Sequence, residues 1–177
     1  MLYRMRPALP FRDSRLLAGL VLILAWLLWP AAALRAEQEP VTALPPAVDL
    51  GADATLQRQR NLPLLVLYTR DDCSWCELLR RDFLGPMQQD PAAPVLIRQI
   101  NIDRDTPLLD WRGQRTTHRE FAQQRQIKFT PVIAFLGPSG EMLAEPIVGV
   151  PNIDFYSVLL ERGIAAASRH LHGEVRP

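Results

Sequence analysis

The sequence predicts one α/β domain built on a mixed central sheet with helices on both faces. Leu64-Leu65-Val66-Leu67-Tyr68 is a continuous apolar run opened by Pro63, which suits a strand buried on both sides. Helix-like and strand-like segments alternate around it, and a strand–helix–strand unit implies parallel pairing through a right-handed crossover. Two later strands joined by Gly137-Pro138-Ser139-Gly140 add an antiparallel hairpin.

Taken in order, Glu37 to Pro46 contains Pro40, Pro45 and Pro46 with no hydrophobic period, and reads as a linker that we place at residues 37–48. Asp53 to Arg60 suits a short helix. Beyond the apolar strand, Cys76, Leu79, Arg80 and Phe83 share one helical face, and Gly85-Pro86 should break or kink that helix. Val95 to Ile102 is β-rich and alternates in its second half, a second strand. Thr117-His118-Arg119-Glu120 has the form of a capping box opening a helix from Phe121 to Gln126. Pro131 to Leu136 and Glu141 to Val148 make the hairpin. Asn152 is a candidate cap for a last helix with the stripe Ile153, Tyr156, Leu159 and Leu160. The domain should span 49–167, leaving a polar, frayed tail from 168 to 177.

The N-terminus reads as an export signal. Arg4, Arg6, Arg12 and Arg15 precede an apolar run from Leu16 to Trp29, followed by small residues with expected cleavage after Ala33 or Ala36. An uncleaved membrane anchor over Leu16 to Leu34 is the alternative, since that span approaches the length of a membrane helix. Either way the arginines hold the N-terminus in the cytoplasm and the rest is exported, to the periplasm. Residues 1–36 hold five of the twenty basic residues and one of the nineteen acidic ones. The remaining 141 therefore carry 15 basic and 18 acidic residues, a net charge near −3 that offers no basic patch for nucleic acid.

The chain has two cysteines, Cys73 and Cys76, placed where the apolar strand gives way to the helix. Residues three apart share a helix face, so both sulfurs can meet at one helix N-terminus. There, free backbone N–H groups and the positive dipole end favour a thiolate over a thiol. One sulfur can attack a target disulfide while the other resolves the mixed disulfide that results. Two alternatives stay open. A structural zinc site needs about four ligands, and His118, His170 and His172 lack the spacing to complete one. A purely structural disulfide would close so small a loop that it constrains the unfolded chain little.

Over roughly residues 50 to 165 the chain resembles the thioredoxin superfamily. The resemblance rests on Cys73-Ser74-Trp75-Cys76 after an apolar strand, Asn101-Ile102-Asp103 ending the next, Thr130-Pro131 before a third, and Gly149 after the hairpin. It is similar in particular to exported bacterial thioredoxin-like proteins, including those of sulfur-oxidation systems, and the insertion from Arg104 to Thr116 suits that group. The resemblance implies a thioredoxin-like fold, a cis Thr130–Pro131 bond facing the cysteines, and backbone groups before the proline free to bind a peptide.

Departures from the family accompany the match. Where cytosolic thioredoxins have a buried Asp and a nearby Lys, this chain has Leu67 and Gln99, so water or Glu77 would have to accept the resolving cysteine's proton. Asp71 and Asp72 precede the pair, with Asp72 a candidate helix cap. Trp75 is expected either at the surface beside the sulfurs or packed in the core, His118 solvated in a first turn, and Tyr68 in the core; Trp111 has little claim to a site.

The reading is an exported, monomeric thiol–disulfide oxidoreductase that reduces disulfides of periplasmic proteins. Cys73 is the nucleophile and Cys76 the resolving thiol, with Trp75, Thr130 and Pro131 at the substrate groove. It needs no cofactor beyond the cysteine pair and is maintained by a membrane thiol electron donor. The rivals are a disulfide-forming oxidase and a non-catalytic thioredoxin-fold binding or chaperone module.

Overall fold

A computed structural model describes residues 44–173. The expected signal segment, the first part of the linker and the last four residues lie outside them. The elements run α1 (Leu50–Arg60), β1 (Leu64–Thr69), α2 (Ser74–Leu79), a π-helical turn (Arg80–Leu84), α3 (Gly85–Gln89) and β2 (Leu96–Asn101). There follow β3 (Pro107–Leu109), β4 (Arg115–Thr117), α4 (His118–Gln124), β5 (Val132–Leu136), β6 (Met142–Val148) and α5 (Tyr156–Leu171).

The main sheet has the strand order β2-β1-β5-β6. β1 pairs with β2 in parallel and with β5 antiparallel, and β5 pairs antiparallel with β6. This is the mixed sheet that the sequence predicts. β3 and β4 form a separate small hairpin within the 104–116 insertion.

Alternation along the strands sorts the core into two layers. Leu64, Val66 and Tyr68 pack with Leu50, Phe121 and Ala134 on one face. Leu65 and Leu67 pack with Leu79, Leu84, Tyr156, Leu160 and Ile164 on the other. All six residues of β1 are buried, which is why its sequence lacks a polar alternation. Each such leucine contributes roughly 1.5–3 kcal/mol by leaving water. Gly163 lets α5 lie close on the sheet: a Cβ there would stand 2.3 Å from the Phe135 ring.

Gly85-Pro86 does not stop the helix that begins at Ser74. Proline lacks an N–H and crowds the carbonyl four residues back. The helix widens to a π turn just before it, with the Gly85 N–H donating to the Arg80 carbonyl, and continues to Gln89.

Several expected boundaries move. The linker's last residues are structured: Leu44 and Ala47 are buried, and the Ala47 and Gln99 N–H groups bond across to the Gln99 and Pro45 carbonyls along the free edge of β2. That covers an otherwise open sheet edge. α1 starts at Leu50, three residues early, because the Asp49 side chain accepts from the Ala52 N–H and caps it. The capping box of Thr117 and Glu120 forms as expected but starts α4 at His118. Asn152 is no helix cap. Its side chain accepts from the Asp154 N–H in a turn, and α5 begins at Tyr156. The expected frayed tail from 168 begins later, since α5 runs to Leu171 and that leucine packs on the core.

Candidate functional site

β1 ends at Thr69, and the loop Arg70–Asp72 carries the chain into α2. Cys73 is the N-cap of α2, with φ −127° and ψ 91°, and its Sγ accepts from the Cys76 N–H at 3.2 Å. The expected cap, Asp72, is thereby corrected: the sulfur itself takes the capping seat, one residue on, and the Asp72 side chain stays exposed. Cys73 and Cys76 are joined as a disulfide with Cα atoms 5.2 Å apart. Cys73 is half-buried and Cys76 fully buried. A thiolate at Cys73 would therefore meet an N–H donor and the positive end of the helix together.

One flank of the pair is apolar. β5 starts at Val132 opposite Tyr68 of β1, so Pro131 sits level with the end of β1, from which the cysteine loop departs. The Thr130–Pro131 peptide is cis, Pro131 is buried and Thr130 half-buried. The Pro131 carbonyl accepts from the Gly149 N–H, at a glycine whose φ of 70° suits no other residue well. Trp75 is 51% exposed and Phe129 71%. The sequence reading missed Phe129, although an aromatic directly before Thr130-Pro131 was a visible signal.

The other flank is polar and cross-tied. Asp71 Oδ1 accepts from Asn101 Nδ2 at 2.7 Å and from Arg104 Nε at 2.8 Å. Those two bonds hold the Asp71 carboxyl below the usual carboxylate range, the Asn101 bond foremost. Asp71 is therefore held ionised, with its charge answered by the Arg104 guanidinium. Arg70 lies 3.6 Å from Asp103. The Asn101 N–H donates to His118 Nδ1 at 3.1 Å, and His118 Nε2 lies 2.7 Å from the Ala47 carbonyl.

His118 is the clearest correction to the sequence reading. It is 2% exposed rather than solvated, because β2 and the docked linker close over it. An Nδ1 that accepts and an Nε2 that donates require the neutral ring, and burial pushes its pKa down. Tyr68 is buried as expected, and burial pushes its pKa up to about 12. Trp111 stacks obliquely on Phe121 with Arg125 over its ring, a packing role.

Leu67 is fully buried and lies directly opposite Gln99 in the β1–β2 register. No carboxylate rises from that strand position toward the cysteine helix. Glu77, the other candidate proton acceptor, receives two bonds from Arg80, at 2.7 and 3.2 Å. Among the described residues no group of three or more His, Cys, Asp or Glu is placed to hold a metal ion.

The chain matches the thioredoxin-like domain family over residues 50–163, a stretch that includes both cysteines and Thr130–Pro131. It belongs to that family. Among solved structures it is similar to mitochondrial thioredoxin 3 from Saccharomyces cerevisiae in its oxidised form. Identity there is 16%, coverage 72% of this chain and 98% of that one, and the TM-score 0.48. It is also similar to a DsbH oxidoreductase, at 14% identity over 75% and 92% of the two chains with a TM-score of 0.47. A thioredoxin-fold protein from Helicobacter pylori matches at 17% identity over 65% and 87%, with a TM-score of 0.44. No curated protein matches the sequence. The family and its paired cysteines make this protein a thiol–disulfide oxidoreductase.

Proposed function

We propose that this oxidoreductase works outside the cytosol and reduces disulfides in exported proteins. The observation that carries the division of labour is the unequal burial of the two sulfurs: Cys73 reaches solvent and Cys76 does not. The Cys73 thiolate attacks one sulfur of a target disulfide, forming a mixed disulfide and releasing the first target thiolate. Cys76, once deprotonated, attacks the Cys73 sulfur, closes the Cys73–Cys76 disulfide and releases the second. Two electrons pass from the pair to the target, and water supplies the protons that the released thiolates take up.

Trp75, Thr130 and Pro131 form the groove for the target segment, and Phe129 extends it. Thr130 precedes β5 and retains backbone groups that an extended peptide can pair with. A membrane thiol donor restores the dithiol. The charged, then apolar, then small-residue N-terminus supports export. The reducing direction is supported by the absence of Lys, Arg or His between the cysteines, since strong oxidants owe their potential to a highly stabilised thiolate.

Reduction of insulin in the presence of dithiothreitol is the direct test. Catalysed precipitation supports the reading, and a rate no faster than dithiothreitol alone would leave only a binding or chaperone module. A reduction potential as high as about −120 mV would overturn the direction and favour a disulfide-forming oxidase.

A further inference from the structure

We propose that Arg80 is a positioning residue for the exchange reaction: it pins the cysteine helix to the end of β1 and holds a cation one helical turn beyond Cys76 that favours the thiolate form of the pair. The inference rests on the exchange chemistry proposed above. Arg80 is four residues beyond Cys76, on the same helical face, and helical side chains lean back toward the N-terminus. Its guanidinium accordingly reaches back along the helix. Nη1 donates to Thr69 Oγ1 at 2.9 Å, while Nε and Nη2 donate to one oxygen of Glu77. Thr69 is 2% exposed and is the last residue of β1, so this single side chain fixes the helix to the strand that launches the cysteine loop.

The charge balance of this trio is uneven. The Arg80 side chain is 15% exposed and Glu77 52%. Water screens the carboxylate more than the guanidinium, so a net positive field remains on the buried side. Arg80 also walls a cleft of about 440 Å³ together with Thr69, Arg70, Asp71 and Arg104. The other charges around the loop are already answered or exposed. Asp71 is held by Asn101 and Arg104, Arg70 faces Asp103, and Asp72 is exposed. From β1, the residue that meets Arg80 is Thr69, and β1 carries no charged side chain. Closing the disulfide removes the thiolate charge, and opening it with two electrons restores that charge; a fixed cation therefore favours the reduced form.

The test uses the purified protein equilibrated with glutathione, together with thiolate absorbance against pH. For Arg80→Met we expect the reduced form to be disfavoured about three- to tenfold, roughly 15–30 mV more negative, with a raised thiolate pKa. Glu77→Gln removes an exposed carboxylate and leaves the fold intact, and it should shift both readings the opposite way. Arg80→Lys keeps the charge without the fork, so it should restore the potential while remaining less stable than the parent. Potentials of Arg80→Met and Glu77→Gln both indistinguishable from the parent would overturn the assignment, as would shifts of the same sign. These readings are made on the cysteine pair itself, so a failure to reduce insulin would sink the functional reading and leave this one standing.

Discussion

The two flanks of Cys73 are built on opposite principles. Toward β5 lie Phe129, Thr130 and Pro131, and the cysteine helix itself carries Trp75, so that two large aromatics are exposed. Toward β2 the side chains are charged or amide and nearly all are spoken for: Asp71 by Asn101 and Arg104, and the Asn101 carbonyl oxygen in turn by the Asp103 N–H. The first flank leaves Trp75 and Phe129 exposed, which on the proposed reading is a surface for a partner. The second has spent its contacts within the chain, which fixes the loop that presents the sulfur. On the proposed reading, docking belongs to the β5 side of β1 and positioning to the β2 side.

The largest effects should come from the cysteines between the flanks. Cys73→Ser should abolish exchange, whereas Cys76→Ser should still attack and accumulate mixed disulfides with natural substrates, seen on non-reducing gels. Trapping by the Cys73→Ser protein instead would reverse the assigned roles. Next, truncation on the β5 flank should weaken binding without touching the fold. Phe129→Ala should raise KM for a protein disulfide about tenfold, the scale of an interfacial aromatic anchor, with the melting temperature and reduction potential unchanged. An unaltered KM would show that targets do not dock on that flank.

On the β2 flank the expectation inverts. Asn101→Ala removes the bond to Asp71 and the acceptor for the Asp103 N–H, and should cost about 1 kcal/mol of stability in chemical denaturation. KM should stay within about twofold, since no partner is expected there. A KM effect as large as that of Phe129→Ala would erase the contrast between the flanks.

The smallest effect is a pH dependence. His118 has a lowered folded pKa, so below its ordinary value of 6.5 the unfolded chain takes up a proton that the folded chain resists. Its stabilising contribution is intact above 6.5 and declines as the pH falls toward the folded value. His118→Gln offers an acceptor and a donor without titrating, and should flatten the decline in thermal stability as the pH falls below 6.5. Equal slopes for the two proteins would show that His118 does not protonate in that window. Gly163→Ala gives a packing control far from both flanks, with overpacking against Phe135 expected to cost about 1–3 kcal/mol.

Most of the fold was legible in the sequence because its signals are local. A five-residue apolar run between Pro63 and a turn declares a doubly buried strand. Thr117 and Glu120 declare a helix start, and Gly137-Pro138-Ser139-Gly140 declares a hairpin. Cys73 and Cys76 at a strand-to-helix junction marked the reacting centre, whereas the role of Thr130-Pro131, some fifty residues on, came only through the resemblance to the thioredoxin superfamily. Each signal spans fewer residues than the element it announces, so periodicity and backbone preference are enough to read it.

Only the tertiary structure decided the polar wiring. Asn101 and Asp71 are 30 residues apart, His118 and Ala47 are 71 apart, and Arg80 and Thr69 are 11 apart across a loop. Nothing in the period of either partner's segment announces the other. His118 looked like a solvated first-turn residue because its burial comes from a linker that itself looked structureless, and that linker is ordered only by pairing with the free edge of β2. Hydrophobic patterning states which face of an element is covered. Which donor meets which acceptor depends on how the covered faces bring distant backbone together, and the chain settles that only when it closes.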